Sequence, residues 1–199
     1  MWHEIIESAH ACAEPGLLFW DNAKRTTPSD IYEEEGFGSV STNPCGEIIL
    51  SPYDSCRLML VNLKSFVLKP FTTEATFDYE KMGEVAQKAQ RLMDDMIDLE
   101  VEQVDKILQK IDNDPEPTAV KRTEREMWQS IRDRALQGRR TGLGVTAVGD
   151  TIASLGIRYG SEESIRTVES IYKCLTVNAY KSSCQLASER GAFPVYNAD

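Results

Sequence analysis

The stretch STNPCGEIILSPYDSCRLMLVNLKSFVL, Ser41 to Leu68, decides how this chain is read. Its first part sets Cys45 between Asn43 and Glu47, with Pro44 and Gly46 interleaved. Proline and glycine are poor residues for a helix or a central strand, so the pentapeptide reads as a tight loop. Such a loop would hold Cys45 at its tip and let alternate side chains converge. A loop with incidental polar residues is the other reading, and spacing alone leaves both open. The second part, after Cys56, is a near-continuous apolar tract through Leu58, Leu60, Val61, Phe66, Val67 and Leu68. Such a tract predicts a buried strand rather than a half-exposed one.

Upstream, Trp2, Ile5, Ile6 and Ala9 recur at helical spacing and predict a helix from Trp2 to about Ala13. Pro15 and Gly16 end it. Leu17 to Asp21 is a short apolar run, read as a buried strand or turn. Ala23 to Gly38 is polar, with Pro28, Gly36 and Gly38, and reads as a loop.

Downstream the pattern turns helical at Asp78, a plausible N-cap. Met82, Val85, Ala86, Ala89, Leu92, Met93, Met96 and Ile97 share one face, continued by Val104, Ile107, Leu108 and Ile111, until Pro115 and Pro117. A second helix is expected over Thr123 to Leu136, opened by the capping box from Thr123 to Glu126. Gly138, Gly142 and Gly144 precede a helical pattern through Val145, Val148, Ile152 and Leu155. A last long helix is predicted from about Glu162 to Arg190, with Ile165, Val168, Ile171, Tyr172, Leu175, Ala179, Leu186 and Ala187 inward. The chain stops after YNAD, as if cut from something longer.

The 199 residues carry a net charge of −10 and are 41% hydrophobic and 27% charged, the balance of an ordinary folded domain. That charge repels a phosphate backbone and an anionic membrane surface, and the tightest basic grouping is only Gly138 to Arg140. Nucleic-acid and membrane partners are therefore not expected. No stretch approaches the ~18 apolar residues of a span. The five cysteines (Cys12, Cys45, Cys56, Cys174, Cys184) are odd in number and sparse, unlike a secreted disulfide framework. The expected compartment is the reducing cytoplasm. Cys12, Cys174 and Cys184 read as core cysteines. The two histidines, His3 and His10, make no zinc pattern, and no metal site is expected. The glycines of GRRTGLGV match neither GxGxxG nor the Walker spacing. They read as a loop into a tightly packed helix, where glycine permits close approach.

Several motifs together are familiar. STNPCGEI resembles the finger loop of ribonucleotide reductase catalytic subunits, and PYDSCRLMLVNLKSFV the strand that follows it. EPGLLFWDNAKRTTP is similar to the segment before that loop. GRRTGLGVTAVGDTIASLGIRYGSEES and AYKSSCQLASERGAFPVY resemble later stretches of the same family, in the same order. The least familiar part, about 100–137, looks like a helical insertion found in some members.

The resemblance implies an α/β fold, here a helix-rich part of a ten-stranded α/β barrel, with residues 1–199 a partial barrel domain and 39–57 its central finger loop. It implies an oxidoreductase that reduces ribonucleoside di- or triphosphates for DNA precursor synthesis. In the matching positions Cys45 carries the thiyl radical, Glu47 is the base for the 3′-hydroxyl proton and Asn43 orients the ribose hydroxyls. Cys56 matches one half of the reducing dithiol, reset by a thioredoxin-like reductant. Its partner in the family lies upstream of this chain's first residue, so Cys56 is expected to have no intrachain partner. The eleven residues from Cys45 to Cys56 and the NPCGE sequence resemble the adenosylcobalamin-dependent class, with a metal-radical partner subunit as the alternative. The chain would then need the remaining reductase polypeptide, or a second fragment, to be active. A non-catalytic remnant that binds other reductase chains is the competing reading. Retention of Asn43, Cys45, Glu47 and Cys56 together favours the catalytic one.

Overall fold

The structure is a computed structural model and describes residues 1–55 and 57–196. They form two compact units, one over Met1–Asp54 and one from Ser55 onward.

In the first unit, α1 (Trp2–Cys12) has the expected span, but none of its residues is buried. Leu17, Leu18 and Phe19 are exposed and irregular rather than a buried strand, and α2 (Trp20–Thr26) begins directly after them. Of the segment read as a loop, Ala23 to Gly38, the first four residues complete α2 and the rest is built of short turns. The Thr27 hydroxyl donates to Ala23 O at 2.8 Å, and Pro28 opens a 3-10 turn over Pro28–Tyr32. Proline's fixed φ is ready for that first turn. A wider turn over Glu33–Phe37 follows, and it buries Phe37. The Ser39 amide donates to Asp30 Oδ1 at 2.7 Å. The hairpin β1 (Ser41–Thr42) and β2 (Ile49–Leu50) closes the unit, pairing Ser41 with Leu50 and Thr42 with Ile49.

The second unit centres on a parallel pair, β3 (Arg57–Asn62) and β6 (Thr141–Thr146), in register from Arg57↔Thr141 to Asn62↔Thr146. Parallel neighbours need a long crossover. Here it comprises the antiparallel pair β4 (Val67–Leu68) and β5 (Thr76–Phe77), then α3 (Tyr79–Asn113) and α4 (Thr118–Gly138). After β6 come α5 (Val148–Ser154) and α6 (Glu162–Arg190), the latter with the bounds its periodicity predicts. Asp78 caps α3 by accepting from the Lys81 amide at 2.9 Å. Val61, Leu63, Phe66, Met82, Ala86, Ala89, Ile171 and Leu175 make the core. Met82, Met93 and Ile97 are fully buried along α3, each contributing about 2 kcal/mol of burial.

Several expectations need correction. The apolar tract after Cys56 is not one strand buried on both faces. It forms β3, then a 3-10 turn over Leu63–Phe66, then β4. Within β3, Arg57 and Val61 are buried while Leu58 (53%) and Leu60 (61%) are exposed. The Asn62 side chain ends the strand by accepting from the Lys64 amide at 3.2 Å. Thr141–Thr146, read as loop and helix, is strand β6, and the close approach that glycine permits is to a strand. A Cβ on Gly144 would lie 2.8 Å from Leu60 Cδ2. The capping box at Thr123 is not used. Pro117 precedes α4, and Thr123 lies inside that helix, donating to Ala119 O at 3.1 Å. Along the helices, Leu92, Met96, Ile165 and Tyr172 face outward rather than inward. The helix-rich α/β character holds, and the strands of the described residues form three separate two-stranded sheets with no closed barrel.

One charged group ties this unit together. Asp94 of α3 is buried (8% exposed) and accepts from Arg139 Nε at 2.7 Å and Arg190 Nη1 at 2.5 Å. Arg139 Nη2 also donates to the Asp94 carbonyl at 3.0 Å, and its Nη1 to Asp98 at 2.8 Å. Arg190 Nη2 reaches Asp95 at 2.6 Å. Burial disfavours the Arg139 charge, but its hydrogen bonds to Asp94 and Asp98 outweigh it and raise the pKa above the ordinary arginine value. Asp94→Ala would leave two guanidinium groups without their shared acceptor. We expect a loss of about 3 kcal/mol of stability, read from the urea midpoint. A loss well below about 1 kcal/mol would mean that solvent screens these pairs like ordinary surface ones.

Candidate active site

The loop that joins β1 to β2 runs from Asn43 to Ile48, and its shape follows from its sequence. The Gly46 amide donates to Asn43 O at 3.0 Å, which closes a four-residue turn with Pro44 and Cys45 at its centre. Proline's fixed φ suits the first central position of such a turn. Gly46 then takes φ +80°, the left-handed conformation glycine adopts without steric cost. The hairpin is joined at its mouth by the Asn43 amide, which donates to Ile48 O at 3.1 Å. In return the Ile48 amide donates to Asn43 Oδ1 at 3.0 Å.

This turn brings together three of the four residues singled out from sequence. Cys45 is exposed at the turn's centre, Glu47 is exposed one residue beyond the left-handed glycine, and Asn43 is half-buried at the base. Cys45 carries a free thiol. A nucleophile or hydrogen-atom donor here would have a carboxylate and an amide on the same short loop, which is how a site gains orientation without long side chains. Cys56, the fourth, lies outside the described residues.

The residues on either side of Cys56 form a polar network that sequence reasoning missed. Arg57 Nε donates to Glu100 Oε2 at 2.5 Å, and its side chain is only 6% exposed. Ser55 Oγ donates to the other Glu100 oxygen at 3.4 Å, and Arg57 Nη1 reaches Ser55 O and Arg140 O, each at 3.4 Å. One carboxylate of α3 thus holds both neighbours of Cys56. The only sequence signal was an arginine at the head of an apolar tract.

Asp94, Asp95 and Asp98 place carboxylate oxygens within 4.8 Å of one another, a spacing that could suit a divalent cation. Arg139 and Arg190 already ion-pair with these oxygens. The other cysteines also differ from expectation. Cys12 and Cys184 are exposed and Cys174 is half-buried, so none is a core residue. Burial raises the Cys174 pKa more than its hydrogen bond from Asn178 lowers it. A raised pKa leaves less thiolate at neutral pH. Iodoacetamide should therefore modify Cys174 more slowly than Cys12, Cys45 and Cys184, as read residue by residue by mass spectrometry. Equal or faster modification of Cys174 would contradict its burial.

Among the described residues, no helix is long and apolar enough to cross a membrane. The family model for the ribonucleotide reductase barrel domain matches residues 1–199. The vitamin B12-dependent ribonucleoside-diphosphate reductase of Mycobacterium tuberculosis (strain H37Rv) is 32% identical over 197 residues, 98% of this chain and 23% of that protein. The enzyme of the same description from Thermoplasma acidophilum is 31% identical over 200 residues, 98% of this chain and 21% of that protein. The chain spans less than a quarter of the length of these relatives. A solved structure, the Actinobacillus ureae class Id ribonucleotide reductase alpha subunit, matches with a TM-score of 0.66 at 20% identity. That match covers 98% of this chain and 32% of the other, and it is a likeness of fold.

Proposed function

This chain belongs to the ribonucleotide reductase barrel-domain family, and we propose that it carries the radical-bearing loop of a ribonucleotide reductase. The observation that carries the proposal is the turn itself: Cys45 stands exposed at its centre, with Glu47 and Asn43 on the same loop. The barrel of which it is a part is proposed to have the family's ten strands. The β3/β6 pair would contribute two of them, and residues 39–57 would be its finger loop.

In this reading the Cys45 thiyl takes the 3′-hydrogen of a ribonucleoside di- or triphosphate. Glu47 accepts the 3′-hydroxyl proton, which helps the 2′-hydroxyl leave as water. Asn43 orients the ribose hydroxyls. Cys56 and a partner thiol on the remaining polypeptide supply two electrons and become a disulfide. A thioredoxin-like reductant resets the pair by thiol exchange. Cys45 then returns the hydrogen atom to C3′ as the product forms, which regenerates the thiyl, so the radical is not consumed.

Adenosylcobalamin is the proposed radical source, and it would supply the hydrogen-atom acceptor that generates the thiyl. The names of the relatives from Mycobacterium tuberculosis and Thermoplasma acidophilum support this assignment. The fit within this chain is at Cys45, whose thiol stands open to a group outside the turn. Residues that would enclose the cobalamin are assigned to the remaining polypeptide.

The test is turnover by this chain joined with the rest of the reductase. Cys45→Ser should abolish nucleotide reduction and leave assembly intact. Glu47→Gln should lower kcat by about 10²-fold or more, the scale of lost general-base catalysis. Turnover should require adenosylcobalamin under anaerobic conditions, and turnover supported by a metal-radical subunit instead would overturn that assignment. The 199 residues alone should reduce no nucleotide. A Cys45→Ser protein that still turns over would leave the non-catalytic binding role as the better reading.

A further inference from the structure

The hairpin mouth between Asn43 and Ile48 departs from a regular ladder in one respect. In a closely bonded antiparallel pair, each residue's backbone N–H donates to the other's backbone carbonyl. Asn43 N–H does donate to Ile48 O at 3.1 Å. The return bond from the Ile48 N–H goes to the Asn43 side chain, at Oδ1, over 3.0 Å. The backbone carbonyl of Asn43 is thereby released. It accepts from the Gly46 amide at 3.0 Å and from the Thr42 hydroxyl at 2.8 Å. The first of these bonds is the one that closes the turn around Pro44 and Cys45. A side-chain carbonyl has replaced a backbone carbonyl, and the backbone carbonyl builds the Cys45 turn.

This arrangement also fixes which way round the amide lies. A flipped Asn43 would bring its NH2 group against the Ile48 N–H, donor facing donor. The oxygen must therefore face Ile48, and the NH2 group is the half turned away from that amide.

We propose that Asn43 Oδ1 is the latch that sets the Cys45 turn, a role separable from the ribose contact of the same side chain proposed above. The ribose contact rests on the reading of this loop as a ribonucleotide reductase site, while the latch does not. Asn43 is thus a positioning residue for Cys45 before any substrate arrives. Among the common side chains, aspartate is the close isostere that keeps an oxygen for Ile48 while replacing the donor by a second acceptor.

Two variants separate the roles in this chain joined with the remaining reductase polypeptide. Hydrogen exchange at the Ile48 amide reports the latch without nucleotide. Asn43→Ala should speed that exchange by roughly five- to tenfold, the effect of losing one net hydrogen bond. Asn43→Asp should leave it near the wild-type rate. Nucleotide turnover reports the donor. Asn43→Asp should lower kcat/KM by about 100-fold or more despite an intact turn, because the variant offers no hydrogen to a ribose oxygen and sets a second carboxylate on the same loop as Glu47. Unchanged Ile48 exchange in Asn43→Ala would overturn the latch. Wild-type turnover in Asn43→Asp would overturn the donor role. If Cys45→Ser also turned over normally, the reductase reading itself would fail, and the latch would still be judged by exchange alone.

Discussion

A buried carboxylate must find cations, and in the second unit that requirement fixes where three elements meet. Asp94 lies on the α3 face that also carries Met93 and Ile97. It has little access to water, and it is satisfied by Arg139, at the end of α4, and Arg190, at the end of α6. Arg139 directly precedes the Arg140–Thr141 entry to β6. The ion pairs therefore set the distance between α3 and the start of a strand as well as the ends of two helices. Apolar packing alone tolerates small slides between helices. A carboxylate bonded to two guanidinium groups tolerates them far less, since the bonds are directional. Further along, Gly83 of α3 lies against the Asn178 side chain of α6, where a Cβ would come within 2.8 Å of Nδ2. Gln87 Nε2 donates to Asn178 Oδ1 at 2.8 Å, and the Ser182 hydroxyl to the Gln87 backbone carbonyl at 2.9 Å. The α3–α6 interface thus pairs polar contacts with an apolar core.

The elements best read from sequence are those whose signals are local. Asp78 as a cap, Pro115 and Pro117 as breakers, and the 3.6-residue spacing along Glu162 to Arg190 each act within a few residues, and α3 and α6 follow them. The misreadings have non-local causes. TGLGVT carries four apolar or small positions between its threonines, a pattern with no clear strand alternation, and only pairing with Arg57–Asn62 makes it β6. The capping-box pattern at Thr123 is overridden because the helix is already running from Thr118. Leu58 and Leu60 have the composition of buried positions, yet burial depends on what covers a face, and that is not written in the strand itself.

The candidate site divides along the same line. Pro44 and Gly46 make the loop legible, and Cys45 at its centre follows from them. The bond from the Ile48 amide to the Asn43 side chain was not legible, because it joins a side chain to a backbone group five positions on. The Arg57–Glu100 pair was equally hidden, since its partners lie forty-three residues apart. What pointed to the family was the order of several motifs along the chain. The family match over residues 1–199 agrees with that reading at the level of the family.

Arg139 follows a helix in the left-handed conformation, at φ 42°, where helices most often place glycine. A β-carbon there costs on the order of 1 kcal/mol of backbone strain. A protein engineer applying the usual rule for helix ends would replace it with glycine and expect a gain. The relaxed backbone would come at the loss of the guanidinium shared by Asp94 and Asp98, and the exchange would run against stability. Lysine would keep the charge but could not span two carboxylates and a carbonyl from one planar group. The position is therefore one where local design rules and the tertiary fold demand opposite residues, and where sequence libraries built on helix-capping statistics would steer toward a weaker protein.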